Sequence, residues 1–375
     1  MNSSKVRWVE IGELVTNSDE RNTDGLYTLD DLRGISIQKK FIDTKANMEG
    51  VSLKPYKLVK PNYFCYVTIT SRNSDKITLA LNQSENTYIV SSSYEVFYVR
   101  EGVEALPEYL YLWFCRPEFD RYARFNSWGS AREAFSYEDM ERVRIPLPSI
   151  DEQRAVVDAW KSLRVVKEQS EALAAPIEQL CQSYLQECKH KYAYQKLGEY
   201  IEECNNRNKE LGFGASDLMG VKSDGTFITS IADKSELKFH GYKIVRHGEF
   251  AYSNRINIGS IAINRGKDCI ISPSYVVFKV KDERKNDILP EFLNMWYRRS
   301  EFLRSTLFYA FGTIKDDFSI ENMKSVDIPL PPIDVQRAIV SLYQCALEYK
   351  SLASEADEQA KNICSPLLQQ IIHQS

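Results

Sequence analysis

The chain is written twice, and this constrains its fold more than any other feature. Ile145-Pro-Leu-Pro-Ser-Ile-Asp-Glu-Gln-Arg-Ala-Val-Val157 recurs as Ile328-Pro-Leu-Pro-Pro-Ile-Asp-Val-Gln-Arg-Ala-Ile-Val340, 183 residues on. The same offset relates Leu106-Pro-Glu-Tyr-Leu110 to Leu289-Pro-Glu-Phe-Leu293, and Arg116, Glu118 and Phe119 to Arg299, Glu301 and Phe302. Upstream the offset becomes 186: Tyr56-Lys-Leu-Val59 matches Tyr242-Lys-Ile-Val245, and Gly12-Glu13 matches Gly198-Glu199. So many segments in one order mean a duplication, with short loop insertions accounting for the changed offset.

Each copy opens with a mixed region. Leu58 to Ile69, Ser91 to Val99, Lys243 to Tyr252 and Cys269 to Val280 are rich in Val, Ile, Tyr, Phe and Thr and read as strands. A helix is expected to start near Pro107 and Pro290, because proline suits a first turn. After the Pro-rich segment a long amphipathic helix follows in each copy. In a heptad started at Val156, the a and d positions are Val156, Ala159, Leu163, Val166, Ser170, Leu173, Ile177, Leu180 and Tyr184. Their counterparts run from Ile339 through Leu342, Ala346, Tyr349, Ala353, Ala356, Ala360 and Ile363 to Leu367. Apolar residues at spacings of three and four over more than four heptads predict a coiled-coil seam, and we read the two helices as an antiparallel pair. Pro176 falls inside the first pattern and is expected to kink it. Ser149 and Glu152 stand in the relation of a capping box; in the second copy both partners change together, to Pro332 and Val335.

The fold class is therefore α+β: two tandem mixed α/β domains separated by two long antiparallel coiled-coil helices. The expected boundaries are 1–148 for the first domain, 149–190 for the first spacer helix, 191–331 for the second domain and 332–375 for the second spacer helix.

Composition bounds the function. A hydrophobic fraction of 43% and a charged fraction of 27% fit a soluble globular protein. No apolar run approaches the roughly 20 residues that span a bilayer, and Met1 to Glu10 lacks a signal-peptide core, so the cytoplasm is the expected location, with no membrane partner. The eight cysteines form no CxxC pair and, with the four histidines, no zinc-ligand spacing. Net charge is −4, but the two helical stretches carry all of that deficit. The globular parts are neutral, so nucleic-acid binding needs a local basic face rather than a basic domain. No Walker loop occurs, and Gly212-Phe-Gly214 lacks the third glycine of a dinucleotide fingerprint. The sequence offers no methyltransferase motif and no nuclease-like carboxylate pair. No catalytic residue, cofactor or metal ligand is assigned.

Polar loops that follow strands offer the side chains that pair with base edges. In the first copy Thr70-Ser-Arg-Asn-Ser-Asp-Lys76 follows a strand; in the second, Ser253-Asn-Arg-Ile-Asn257 takes the corresponding place. A second loop, Trp128-Gly-Ser-Ala-Arg132, matches Phe311-Gly-Thr-Ile-Lys315. The candidate DNA-contacting residues are Arg72, Asn73, Lys76, Arg132, Asn254, Arg255, Asn257 and Lys315. The alternative is an ordinary polar turn with solvated charges.

The IPLPxxxxQR segment, twice placed between a β-rich region and an amphipathic helix of about 40 residues, resembles the specificity (S) subunits of type I restriction–modification systems. Gly248-Glu-Phe-Ala-Tyr-Ser-Asn-Arg255 followed by Gly259-Ser-Ile261 is also similar to the family's target-recognition domains. Two departures stand out: Val335 replaces the usual Glu, and Asn62-Tyr63 replaces a Gly-Asp turn. The resemblance implies a non-catalytic subunit that grips a bipartite double-stranded DNA target, one half-site per domain, with the helices as a ruler. It implies as partners two DNA adenine methyltransferase subunits, which methylate from S-adenosylmethionine, and an ATP-driven restriction/translocase subunit. A helix of 39 residues spans about 58 Å, against roughly 34 Å between half-sites one turn apart. Two other readings stay open: a coiled-coil scaffold binding protein rather than DNA, and a specificity subunit serving a methyltransferase without a restriction subunit.

Overall fold

The computed structural model describes residues 7–44, 46–70, 76–129, 132–230, 237–253, 261–309 and 318–363. Two compact units emerge: Met1–Ser170 with Leu352–Ser375, and Glu171–Ser351. Each long helix is thus divided between the units.

The units repeat one architecture. In the first, a four-stranded antiparallel sheet has the order Val15–Asn17, Tyr94–Val99, Phe64–Val67, Leu79–Leu81. In the second, the order is Ile201–Glu203, Tyr275–Val280, Phe250–Ser253, Ile261–Ile263. Among the described residues, three two-stranded ribbons accompany each sheet. Lys57–Val59 pairs with Tyr88–Val90, Arg33–Ile35 with Phe41–Asp43, and Arg7–Glu10 with Arg144–Leu147. Their counterparts are Lys243–Val245 with Cys269–Ile271, Met219–Val221 with Phe227–Thr229, and Tyr194–Lys196 with Asp327–Pro329. The Pro-rich segment is therefore an exit strand paired with the entry strand of its own copy. That closes each domain before the helix begins.

The expected helices start at Pro107 and Pro290, each proline occupying the first turn. Their inner faces meet the sheet through a repeated aromatic trio. Phe64 stacks on Phe97 at 4.8 Å with Phe114 edge-on at 5.6 Å. Phe250 stacks on Phe278 at 4.9 Å with Tyr297 edge-on at 5.7 Å. Such pairs add about 0.5–1.5 kcal/mol each beyond the area they bury.

Three of the four strand runs expected from the sequence are broken. Leu58 to Ile69 forms two strands, Lys57–Val59 and Phe64–Val67; Lys243 to Tyr252 and Cys269 to Val280 divide likewise, whereas Ser91 to Val99 holds the single strand Tyr94–Val99. In the runs from Leu58 and from Lys243 the turn is the cause: Asn62 adopts φ +64°, where its counterpart Gly248 has φ +84°. Asparagine is among the few residues that tolerate the left-handed region, which explains how the glycine could be replaced.

The first long helix runs unbroken from Ile150 to Lys191 with Pro176 inside it, and the second from Ile333 to Asn362. The expected capping box is present: Ser149 N donates to Glu152 Oε2 at 2.9 Å, and Glu152 N to Ser149 Oγ at 3.4 Å. Within the first unit, Val156, Val157 and Trp160 enter the core against Ala360 and Ile363, and Lys167 Nζ meets Asp357 Oδ1 at 2.7 Å. Within the second, Cys181 Sγ donates to Ile339 O at 3.9 Å and Lys350 pairs with Glu178. Early residues of one helix meet late residues of the other in each unit, so the pairing is antiparallel. Hydrogen bonds from Lys167 and Lys361 hold the Asp357 carboxyl below the usual carboxylate range. Its contribution to stability is therefore present above the ordinary carboxylate pKa and lost as pH falls through the lowered one.

The seam of the second helix follows the predicted register, with Ile339, Ala346, Ala353 and Ala356 buried. The first helix departs from it. Val156 and Ser170 are buried as expected, but beyond them Ala174, Cys181, Leu185 and Cys188 face inward while Leu173, Leu180 and Tyr184 are exposed. A straight helix turns every 3.6 residues, so a 3.5-residue pattern drifts about 20° per heptad and slips by one residue over this length. Leu180→Lys is therefore expected to change stability by no more than about 0.5 kcal/mol. Urea denaturation checks this, and a loss above about 2 kcal/mol, as for a buried side chain, would return Leu180 to the seam.

The motif glutamines have a role that spacing did not disclose. Gln153 is fully buried; its Nε2 donates to Glu104 O at 3.0 Å and Pro148 O at 2.9 Å, and its Oε1 accepts Leu106 N at 2.9 Å. Gln336 repeats the clamp on Asp287 O, Pro331 O and Leu289 N at 2.8, 2.8 and 2.9 Å. Each glutamine fastens the start of a long helix to the loop that launches the short Pro-headed helix.

Candidate nucleic-acid interface

Strand Phe64–Val67 delivers the chain to the first candidate loop, and the helix Pro117–Phe125 delivers it to the second. Main-chain bonds bring the two loops together. Phe135 N donates to Thr68 O at 2.8 Å and Thr70 N to Glu133 O at 3.0 Å. Trp128 and Ala134 exchange both of their backbone bonds, each at 3.0 Å, and so close the second loop on itself. Gly129 makes that closure possible: it sits at φ +142°, and a Cβ there would lie 2.3 Å from Arg132 O. The buried Phe135 ring and the Tyr66 hydroxyl, which donates to Phe135 O at 3.4 Å, fix the base of the pair.

Of the eight candidate residues, Lys76 and Arg132 are described, and both are exposed. Arg72, Asn73, Asn254, Arg255, Asn257 and Lys315 lie outside the described residues. Arg124 pairs with Glu133, so its charge is spent within the protein while Arg132, next along the loop, faces solvent.

Two aromatic side chains beside this loop were not among the candidates. Trp128 is 67% exposed and Phe125 78% exposed. Large rings left in water at a basic loop are suited to stacking on bases or wedging between them. The sequence did carry a signal: both positions are again aromatic 183 residues on, as Phe308 and Phe311.

The second unit builds the same support. Strand Phe250–Ser253 and helix Ser300–Tyr309 lead into the corresponding segments, and Tyr252 lies 6.0 Å from the fully buried Phe318, counterpart of Phe135. The turn preceding the strand is fixed by Glu249, whose Oε2 accepts Arg246 N at 2.8 Å.

Burial pushes Cys65 well above its ordinary range, Cys204 up to about 12 and Cys269 up to about 11, so they stay protonated and unreactive. Among the described residues there is no cluster of His, Cys, Asp or Glu fit to hold a metal ion, and no helix long and apolar enough to cross a membrane.

A sequence model of the type I restriction modification DNA specificity domain matches residues 201–344. No match is found among curated protein sequences. Among solved structures, the type I restriction–modification S subunit from M. genitalium is similar over 99% of this chain and 97% of its own, with 13% identity and a TM-score of 0.60. A chain from a structure on complex assembly and conformational transition of the type I R-M system aligns over 99% and 98%, with 20% identity and a TM-score of 0.45. The HsdS subunit from Thermoanaerobacter tengcongensis aligns over 98% and 96%, with 19% identity and a TM-score of 0.42. Residues 201–344 thus match the type I restriction modification DNA specificity domain, and the likeness to the M. genitalium S subunit is one of fold over the whole chain.

Proposed function

We propose that this chain is the non-catalytic, cytoplasmic DNA-recognition subunit of a type I restriction–modification complex, reading a bipartite double-stranded target with one half-site per copy. The observation that carries this reading is that the specificity domain occurs at residues 201–344 and its architecture is repeated ahead of it. The recognition domains are 1–148 and 191–331, and the spacer helices 149–190 and 332–375. In the first domain Lys76 and Arg132 approach the duplex from the paired loops, with Trp128 and Phe125 supplying stacking surface. Arg72 and Asn73, and in the second domain Asn254, Arg255, Asn257 and Lys315, complete the readout. Two adenine methyltransferase subunits dock on the chain, and a restriction/translocase subunit joins them.

Arg255→Ala and Arg132→Ala test the division of labour. Each is expected to alter a different half-site. The cost is about 1–3 kcal/mol with relaxed base choice if the contact is bidentate to a base, or a uniform loss with shallower salt dependence if it is to phosphate. The measurement is a methylation-site map of the reconstituted complex. A variant that altered both halves equally would sink the two-reader proposal. A complex with methyltransferase that bound no DNA would favour the protein-binding scaffold.

A further inference from the structure

Helix Pro117–Phe125 has two unlike faces. Phe119, Asp120 and Ala123 are buried, with the Phe119 ring packed on Phe114 at 4.9 Å and on Phe135 at 6.4 Å. Arg121 and Phe125 stand four residues apart and share the opposite face. Arg121 meets Glu118 at 3.3 Å on the exposed surface, a pair worth little in water, so its charge is readily exchanged for another partner. Phe125, at 78%, is the most exposed large apolar side chain among the described residues.

The end of this helix is held firmly. Asn126 Nδ2 donates to Tyr122 O at 2.9 Å and Ser127 Oγ to Ala123 O at 2.6 Å. These bonds also take up carbonyls that a helix terminus would otherwise turn toward a polyanion. The second copy repeats the arrangement. Phe302 and Thr306 are buried where Phe119 and Ala123 stand, and Arg304 again precedes Phe308 by four in helix Ser300–Tyr309.

A phenyl ring has no group with which to read a base edge, and it gains only by leaving water. On a fixed helix end beside exposed Arg121, Arg132 and Lys76, insertion between base pairs is the way for the ring to leave water on a duplex. Resting on the DNA-recognition role proposed for this chain, we infer that Phe125 is a wedge that enters one base step in or beside the first half-site. It selects that step by how readily the bases unstack. Pyrimidine–purine steps are the most easily kinked and are favoured there over stiff ones.

The test uses the chain assembled with methyltransferase subunits, on duplexes carrying its mapped target and without S-adenosylmethionine. 2-Aminopurine, which brightens when unstacked, replaces each purine in and beside the first half-site in turn. The wild type is expected to raise the signal at one step away from the methylated adenine. It is also expected to bind pyrimidine–purine bases at that step about tenfold more tightly than stiff ones, the scale of one unfavourable base pair. Phe125→Ala is expected to fold as the wild type does, because the ring packs in water, and to lose both the signal and the preference. Phe125→Leu, still apolar and able to wedge, is expected to retain part of both. A wild type that reads its target with no step unstacked, or a step preference that survives Phe125→Ala, would overturn the wedge and leave the DNA reading standing. Loss of methyltransferase association by Phe125→Ala, with its DNA behaviour unchanged, would also overturn it and make the ring a protein contact. A wild-type assembly that bound no DNA would overturn the DNA reading and the wedge together.

Discussion

Asp120→Ala is expected to destabilise the first unit by about 3–5 kcal/mol, the usual cost of stranding one partner of a buried ion pair. Asp120 Oδ1 lies 2.6 Å from Lys39 Nζ, and both side chains are more than nine-tenths removed from solvent. The ammonium also donates to Ile77 O at 3.1 Å, while the carboxylate accepts Ile77 N at 3.2 Å. Removing the carboxylate leaves a buried cation with a carbonyl as its remaining bonded neighbour, and an orphaned amide beside it. The measurement is chemical denaturation of the full chain, followed by a signal from the first unit. A second variant shows that the loss comes from the stranded charge rather than from a needed pair. The second unit carries Gly225 and Leu303 at these two positions and keeps the same sheet and ribbons. The double exchange Lys39→Met with Asp120→Leu is therefore expected to recover most of the stability lost in the single variant, as apolar replacement of buried pairs commonly does. A single variant as stable as the wild type would mean that water reaches Lys39.

Gln336→Leu is expected to cost about 2–4 kcal/mol, because it strips partners from three main-chain groups at once, one buried and two partly buried. The two carbonyls of Asp287 and Pro331 lose their donor, and the amide of Leu289 loses its acceptor just before the first turn of a helix. Gln336→Glu is expected to be at least as damaging, since a carboxylate would face two carbonyl oxygens in a dry site. Arg337→Ala, one residue on and exposed, is the control and is expected to fall within about 0.5 kcal/mol. The comparison separates a structural clamp from a chemical site, because a motif serving only DNA or a partner subunit would leave stability untouched. If Gln336→Leu and Arg337→Ala proved equally mild, the clamp would carry no weight in the fold.

Much of this protein is set by its sequence alone. The duplication, the proline-started helices, the capping box at Ser149 and the long amphipathic helices follow from local rules: proline fixes φ, a short polar side chain caps orphan amides, and apolar residues spaced three and four apart share a helix face. Loop positions were legible too, because a polar run after a β-rich segment is a turn wherever the chain goes. What the tertiary structure decided depends on groups distant in the chain. The 3.6-residue turn carried the first helix off its heptad, so that Leu185 rather than Tyr184 faces inward. The Gln153 and Gln336 clamps join residues nearly fifty positions apart. The meeting of the two candidate loops at Thr70 and Glu133 spans sixty-three positions. The exposure of Trp128 is a matter of what a neighbouring segment fails to cover, and no local pattern encodes an empty space. Sequence fixes which faces must be buried; only packing decides which polar groups meet and which remain open.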